Sequence, residues 1–428
     1  MEQIEKKKDL IIFSNGPGEV STWVLPVVEA VQKRKNLSHQ YRIILIIHPC
    51  QFASGTEYLV AKKFDGVETV IGPKEYLKIL FTGFGKKKFR FKREGILFSL
   101  GGDLMHPVLF NKRIKGQYTL YAYTNNPGWD RHYEKIFIRS EYIKDKSIKR
   151  GVSNQKLYIT GDLVYSSLKF HRKREDIRSM LDLSQEQSML AFMPGSRDFE
   201  VMYMLPVFLK VIDVVTDRLK DVKAFLIKSP YVSFELIKRA LSKGGEIKEV
   251  ESIAGTLVQS EQGQYRAIEF SKGKRIRILE EGLEYWGKGI DFAVTLPGTN
   301  TIQLAYRKIP SLVVAPLNKP ELIPVEGIFG FLKWIPWIGK VILEKAVFHY
   351  LKKFQYASLP NMYVNEEIFP ELFGIIQTSD ITDKIIEILE NTEHKKIKEK
   401  LFRFKPDHNP VGLIVQEVFD AAVEQGEN

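Results

Sequence analysis

The chain has 428 residues, more than one hydrophobic core usually serves, so two domains are the first expectation. Its composition is 44% hydrophobic, 27% charged and 12% aromatic, which excludes a largely disordered chain. Lys and Arg number 64 against 52 Asp and Glu, a net charge of +12, and that surplus points to an anionic partner: nucleic acid, a membrane surface or a phosphorylated substrate.

Residues 1–10 are charged, and the short apolar run after them soon reaches Gly16-Pro17-Gly18, so this start reads as neither signal peptide nor membrane anchor. Residues 10–14 read as a buried strand. Residues 21–33 have helical spacing, with Val24, Val27, Val28 and Val31 on one stripe. Further strands are predicted at 43–47, 95–100, 120–123, 135–138 and 157–159. Cys50, the single cysteine, reads as a small residue near a strand end; alone it excludes a disulfide framework and a multi-thiolate metal site.

The polar stretch 169–186 separates this series from a second one. There, strands are predicted at 189–193, 223–228, 292–295 and 311–315, and helices at 202–219, 301–307, 380–390 and 413–423. Residues 255–270 alternate apolar and polar around Gln262-Gly263 and read as a hairpin. Strands alternating with helices predict parallel sheets covered on both faces. The expected architecture is α/β, two Rossmann-like domains facing a cleft. Residues 1–185 form the first domain and 186–400 the second, which carries the hairpin near 255–270 and an apolar, basic segment at 326–353. Residues 401–428 pack back on the first domain as a C-terminal helix. The longest stretch free of Asp, Glu, Lys and Arg is 292–306, 15 residues, too short for the roughly 18 that span a bilayer.

Ligands of such folds sit at the carboxyl ends of the strands, and four loops there carry the chemistry. Gly16-Pro17-Gly18-Glu19-Val20-Ser21 lets the backbone approach a ligand, but its spacing departs from the dinucleotide fingerprint and a plain tight turn fits equally well. Gly101-Gly102-Asp103-Leu104-Met105-His106 places two titratable groups at a strand end. Either can take a proton from a substrate hydroxyl; the competing readings are Asp103 as a helix cap and His106 as a structural group. Met193-Pro194-Gly195-Ser196-Arg197, with Glu200 in the following turn, suits a phosphate through N–H groups, a hydroxyl and a guanidinium. Leu296-Pro297-Gly298-Thr299-Asn300-Thr301 repeats that design, and the pair favours a nucleotide site. GxxxxGK[ST], HExxH and GxSxG are all absent, so neither a metal ligand set nor a cofactor is expected.

Much of the positive charge lies in two segments. Residues 83–95, GFGKKKFRFKREG, hold six Lys and Arg against Glu94, interleaved with Phe84, Phe89 and Phe91. Residues 326–353 combine Trp334, Trp337 and many aliphatic residues with five lysines. Bulky apolar residues beside lysines fit an element lying in a membrane interface, and a buried helix pair in an oligomer is the competing reading. Nucleic-acid binding has no need of the second segment, so no nucleic-acid partner is expected.

These loops together resemble the lipid-A-disaccharide synthases, inverting glycosyltransferases of the GT-B fold. The resemblance runs from about residue 10 to 423. It rests on Gly18-Glu19-Val20-Ser21, Asp103, Gly161-Asp162, Pro194-Gly195-Ser196-Arg197 with Glu200, Gly298-Thr299 with Thr301, and Ser358-Leu359-Pro360-Asn361 with Glu371. It implies a UDP-linked acylated glucosamine donor, a lipid sugar acceptor, UDP as product, and a dimeric enzyme peripheral to the cytoplasmic membrane face, which fits docking through the basic segments 83–95 and 326–353. Ser196 and Arg197 would contact the diphosphate or sugar. Gly298, Thr299 and Thr301 would lie at the donor loop with Asn300, and Asn361 at its edge. Asp103 would be the acceptor-side base, with Gly18, Glu19, Ser21, His106 and Glu200 as further substrate contacts. The chain departs from the pattern at Thr22-Trp23, where the family has a glycine and an acid, and at Gln303, where it has Glu. The rival readings are a UDP-sugar epimerase or hydrolase on the same fold and a non-catalytic membrane- or nucleic-acid-binding protein.

Overall fold

The computed structural model describes residues 7–50, 55–83, 86–244, 247, 250–260, 263–319, 355–404 and 409–424. Two compact units emerge, Met1–Ser167 with Pro406–Asn428, and Leu168–Lys405.

The first unit is built on seven parallel strands: β1 (Lys8–Ser14), β2 (Tyr41–Ile47), β3 (Val67–Ile71), β4 (Glu94–Leu100), β5 (Gln117–Tyr123), β6 (Lys135–Ile138) and β7 (Leu157–Ile159). Their order is β3-β2-β1-β4-β5-β6-β7. Helices cover both faces, so the inner strands are buried along most of their length, and all seven residues of β2 are buried. The charge inside β2 is answered directly. Arg42 Nε lies 2.6 Å from Asp9 of β1, whose other oxygen accepts from the Lys92 N–H at 2.7 Å and the Tyr118 hydroxyl at 2.8 Å.

That buried carboxylate ties the basic segment to the sheet. Arg42 also donates to the carbonyl of Arg90 at 2.5 Å, and Phe89 and Phe91 pack against the core. The expectation of an aromatic docking face at 83–95 is therefore corrected for these two rings: they point inward, whereas Lys88, Arg90, Arg93 and Glu94 are exposed. Phe84 and all of 326–353 lie outside the described residues.

The valine stripe Val20, Val24, Val27, Val28 and Val31 packs on one sheet face together with Ile414, Val415, Val418 and Phe419 of the last helix, Pro410–Glu424. Lys135 adds an ion pair to Glu417 at 2.5 Å.

The second unit repeats the topology. Its strands are β8 (Ser188–Met193), β9 (Val222–Ile227), β10 (Gly255–Gln259), β11 (Arg266–Phe270), β12 (Lys274–Leu279), β13 (Phe292–Thr295), β14 (Ser311–Pro316) and β15 (Glu371–Gly374), in the order β10-β11-β12-β9-β8-β13-β14-β15. The hairpin β10–β11 extends one edge through an antiparallel pairing of β11 with β12, and the remaining six strands are parallel. The division between units falls at Ser167/Leu168 rather than at 185/186. Residues 169–186 belong to the second unit because Arg174 reaches Asp291 at 2.6 Å, Asp291 in turn accepts from the Met189 N–H at 2.9 Å, and Ile177 is fully buried. Among the described residues no helix is long and apolar enough to cross a membrane.

Candidate functional site

Among the parallel strands of each sheet the order reverses once, between β1 and β4 in the first unit and between β8 and β13 in the second. Loops leaving the carboxyl ends diverge at such points and leave a crevice for ligands. All four loops singled out in the sequence leave these four strands.

In the first unit the loops after β1, β2 and β4 converge. Gly101 and Gly102 have φ of +95° and +75°, backbone that favours glycine. A Cβ on Gly101 would lie 2.6 Å from the Glu19 side chain, and one on Gly102 2.3 Å from His48 Nε2 and 2.8 Å from Asn15 Nδ2. Glu19 and the turn are thus neighbours. The helix leaving β1 is widened into a π turn over Val20–Val24. Pro26 lacks the N–H that would bond Thr22, and the Leu25 N–H reaches Val20 instead. Thr22 is buried with its hydroxyl on the Gly18 carbonyl at 2.8 Å, and Trp23 packs edge-on to Tyr123 at 4.9 Å. The departures at Thr22-Trp23 are therefore absorbed into the fold. Gly18, Glu19 and Ser21 are half-buried around this turn.

Asp103 is exposed, and its Oδ1 accepts the Met105 N–H at 2.8 Å. That local bond precedes the helix Met105–Ile114, whose cap position is Leu104, and the carboxylate stays open to solvent. His106 is half-buried beneath it and meets the Tyr76 hydroxyl through Nδ1 at 2.7 Å. Its ring lies 4.2 Å from that of His48. His48, 1% exposed at the end of β2, keeps an Nε2 without a hydrogen-bond partner among the described residues. Burial first, and the neighbouring His106 second, push His48 down to about 3. Burial also lowers His106, against the opposing pull of Asp103. Both rings are neutral at physiological pH. Sequence reading missed His48 and Tyr76; the signal for His48 was its place directly after the apolar run of β2.

In the second unit Gly195 has φ +107°, and a Cβ there would meet Glu200 Oε2 at 2.4 Å. That oxygen accepts the N–H groups of Ser196 at 2.9 Å and Arg197 at 3.1 Å, while Oε1 pairs with Arg197 Nη1 at 2.6 Å. The N–H groups expected to hold a phosphate are thus already taken by a carboxylate of the same loop. The side chains of Ser196 and Arg197, both partly accessible, are what the loop offers a ligand.

After β13, Asn300 bonds the Thr295 hydroxyl and accepts the Thr301 N–H at 3.1 Å. Thr301 is fully buried, donates to the Gly298 carbonyl at 2.7 Å and accepts the Leu359 N–H at 3.3 Å. It links this loop to the helix Leu359–Val364. Gly298, Thr299 and Gln303 remain partly accessible.

Asn361 is not at a ligand edge. It is fully buried, donates to Glu371 and to the Phe369 carbonyl, each at 2.7 Å, and accepts from the N–H groups of Ile368 and Phe369. Glu371 also gathers the N–H groups of Ala357 and Ser358 and the Ser358 hydroxyl. This group is a clamp that fixes the chain beside the loop.

Two doubly wound units, each with glycine turns at its switch point, define an α/β protein of the GT-B-like class. A profile of the lipid-A-disaccharide synthetase family matches residues 157–268, a stretch holding Gly161-Asp162 and the loop 194–200. The lipid-A-disaccharide synthase of Gloeothece citriformis (strain PCC 7424) is 25% identical over 252 residues, 58% of this chain and 53% of that protein. The chain thus spans about half the length of the curated relative it matches. Over these stretches its sequence is similar to that of the lipid-A-disaccharide synthases. Among solved structures, the UDP-GlcNAc 2-epimerase of Neisseria meningitidis bound to UDP-GlcNAc aligns with TM-score 0.55 and 12% identity over 96% of this chain and 100% of that one. A UDP complex of MnaA from S. aureus aligns with TM-score 0.52 and 9% identity over 94% and 92%. At these identities the likeness speaks for the fold alone.

Proposed function

We propose that the protein is a glycosyltransferase that moves an acylated glucosamine-type sugar from a UDP-sugar to a membrane lipid sugar acceptor and releases UDP. The observation that carries this reading is the family match across the loop 194–200, which leaves β8 at the switch point of a nucleotide-type fold. The transfer is inverting and metal-independent. The Asp103 carboxylate takes the proton of the acceptor hydroxyl, and that oxygen attacks the anomeric carbon as the bond to the UDP diphosphate breaks. The bond it accepts from the Met105 N–H holds the carboxylate in one orientation.

Charge develops on the departing diphosphate, and Arg197 with the Ser196 hydroxyl stabilises it. Glu200 holds the guanidinium and the loop backbone in place, so the loop needs no reordering when the nucleotide arrives. Gly298 and Thr299 line the donor side, with Gln303 in place of an acid at the ribose.

The enzyme works at the cytoplasmic membrane face as a peripheral dimer, drawn to anionic lipid by exposed Lys88, Arg90 and Arg93. A second reading, a UDP-sugar epimerase or hydrolase needing no lipid, draws on the shared fold of the 2-epimerases. Calorimetry with UDP tests the donor site: binding to the wild type and weaker binding to Arg197→Ala are expected. Absence of binding at millimolar UDP would overturn the reading.

A further inference from the structure

We propose that Tyr76 is a positioning residue that locks His106 with its proton on Nε2, so the first unit presents a fixed N–H donor, not a second base, to an oxygen of the acceptor. Tyr76 belongs to the helix Pro73–Thr82, which follows β3. Its ring is fully buried, edge-on to Phe13 at 5.9 Å and beside Phe110 at 6.3 Å. A phenol buried among such rings must find an acceptor for its proton or forfeit about 1–3 kcal/mol. Among the described residues the Tyr76 hydroxyl meets one partner, His106 Nδ1 at 2.7 Å.

The hydroxyl therefore donates and Nδ1 accepts. The one proton of a neutral imidazole then sits on Nε2. The reverse arrangement, Nδ1–H donating to the phenol oxygen, would leave the buried O–H without an acceptor.

The surroundings of His106 keep it neutral. His48 covers one face of the ring, with planes tilted by 30°. Its own Nδ1 lies 3.2 Å from the Pro49 carbonyl and so carries the proton, leaving a buried lone pair at Nε2. His48 thus offers no counter-charge. Asp103 is the charged group that favours protonation of His106, and burial outweighs it.

An Nε2 that carries hydrogen has no free lone pair to take a proton, and the basic nitrogen, Nδ1, is occupied by the Tyr76 hydroxyl. His106 therefore donates a hydrogen bond, and proton removal falls to Asp103. The part played by the acceptor oxygen rests on the proposed transferase reading; the tautomer does not.

The test is a long-range proton–nitrogen correlation spectrum of the full chain labelled with 15N-histidine, with His106 assigned by the loss of its signals in His106→Gln. The expected spectrum shows a protonated Nε2 and an unprotonated Nδ1 for His106 at neutral pH. Tyr76→Phe should convert it to a mixture of tautomers and, in the UDP-release assay, lower kcat about tenfold, one hydrogen bond's worth, with the KM for UDP-sugar unchanged. A wild-type His106 that is protonated on Nδ1, doubly protonated or mixed would overturn the proposal, even if the variant fails to fold. So would an unchanged tautomer in Tyr76→Phe. Absence of UDP release from the wild type would instead sink the transferase reading and leave the tautomer standing.

Discussion

At the switch point of the first unit a buried histidine keeps a nitrogen without a partner among the described residues, and an exposed aspartate sits one turn from a second, half-buried histidine. At that of the second unit, carboxylates have been spent on the protein itself: Glu200 fills the N–H groups of its own loop, and Glu371 with Asn361 pins the neighbouring helix. Both units use glycine turns at the same topological positions. The contrast teaches that a loop can be shaped for a ligand in two ways, by leaving reactive groups under-satisfied or by bracing the backbone so that a few accessible side chains stay put. The first suits proton transfer, the second a charged leaving group.

The largest effect that would sharpen this contrast is on turnover. Asp103→Asn should lower kcat by about 100- to 10,000-fold while UDP affinity stays as it was, because the base acts on the acceptor alone. Ordinary turnover in that variant would break the assignment. Glu371→Ala should cost about 3–5 kcal/mol in urea unfolding, since two backbone N–H groups, a hydroxyl and the buried Asn361 amide lose their acceptor together. A loss below about 1 kcal/mol would mean the clamp is incidental.

The histidine pair gives a pH signature. The unfolded chain protonates His48 near 6.5 and the folded chain only near about 3, so between those values the unfolded state binds more protons. Stability is complete above pH 6.5 and falls as the pH drops, by up to about 1.4 kcal/mol per pH unit for this group. Urea midpoints from pH 7 to pH 5 should fall more steeply for the wild type than for His48→Asn; equal slopes would contradict the buried neutral ring. The smallest effect is on the braced side: Arg197→Ala should weaken UDP binding by about tenfold, the scale of one charge-assisted hydrogen bond.

Much of the fold was legible because strands buried on both faces write themselves as apolar runs, β2 and β4 most clearly. The edge strand β3, Val-Glu-Thr-Val-Ile, is half exposed and was not anticipated; β12, which carries Lys274, Arg275 and Arg277, was also missed. The four switch-point loops were found from glycine, position and residue type. Sequence spacing could not show which polar residues face inward. Asn361 reads as a site residue and Glu371, ten positions on, as part of the same motif, yet their bonds close on each other. Glu200 stands in the first helical turn, where an anion site is expected, and its carboxylate becomes the anion. Phe89 and Phe91 alternate with basic residues as a docking strip would, but the Asp9 carboxylate anchors their backbone and turns the rings into the core. Tyr76 sits mid-helix without any local motif; only the fold brings it to His106.

The central claim is tested most directly by incubating the purified full chain with a panel of UDP-sugars, with and without membrane lipid acceptors, and following UDP release. The account predicts release that requires both a UDP-acylglucosamine-type donor and a lipid sugar acceptor, and that is lost in Asp103→Asn. UDP release that proceeds equally well without lipid, or none from any donor, would contradict it.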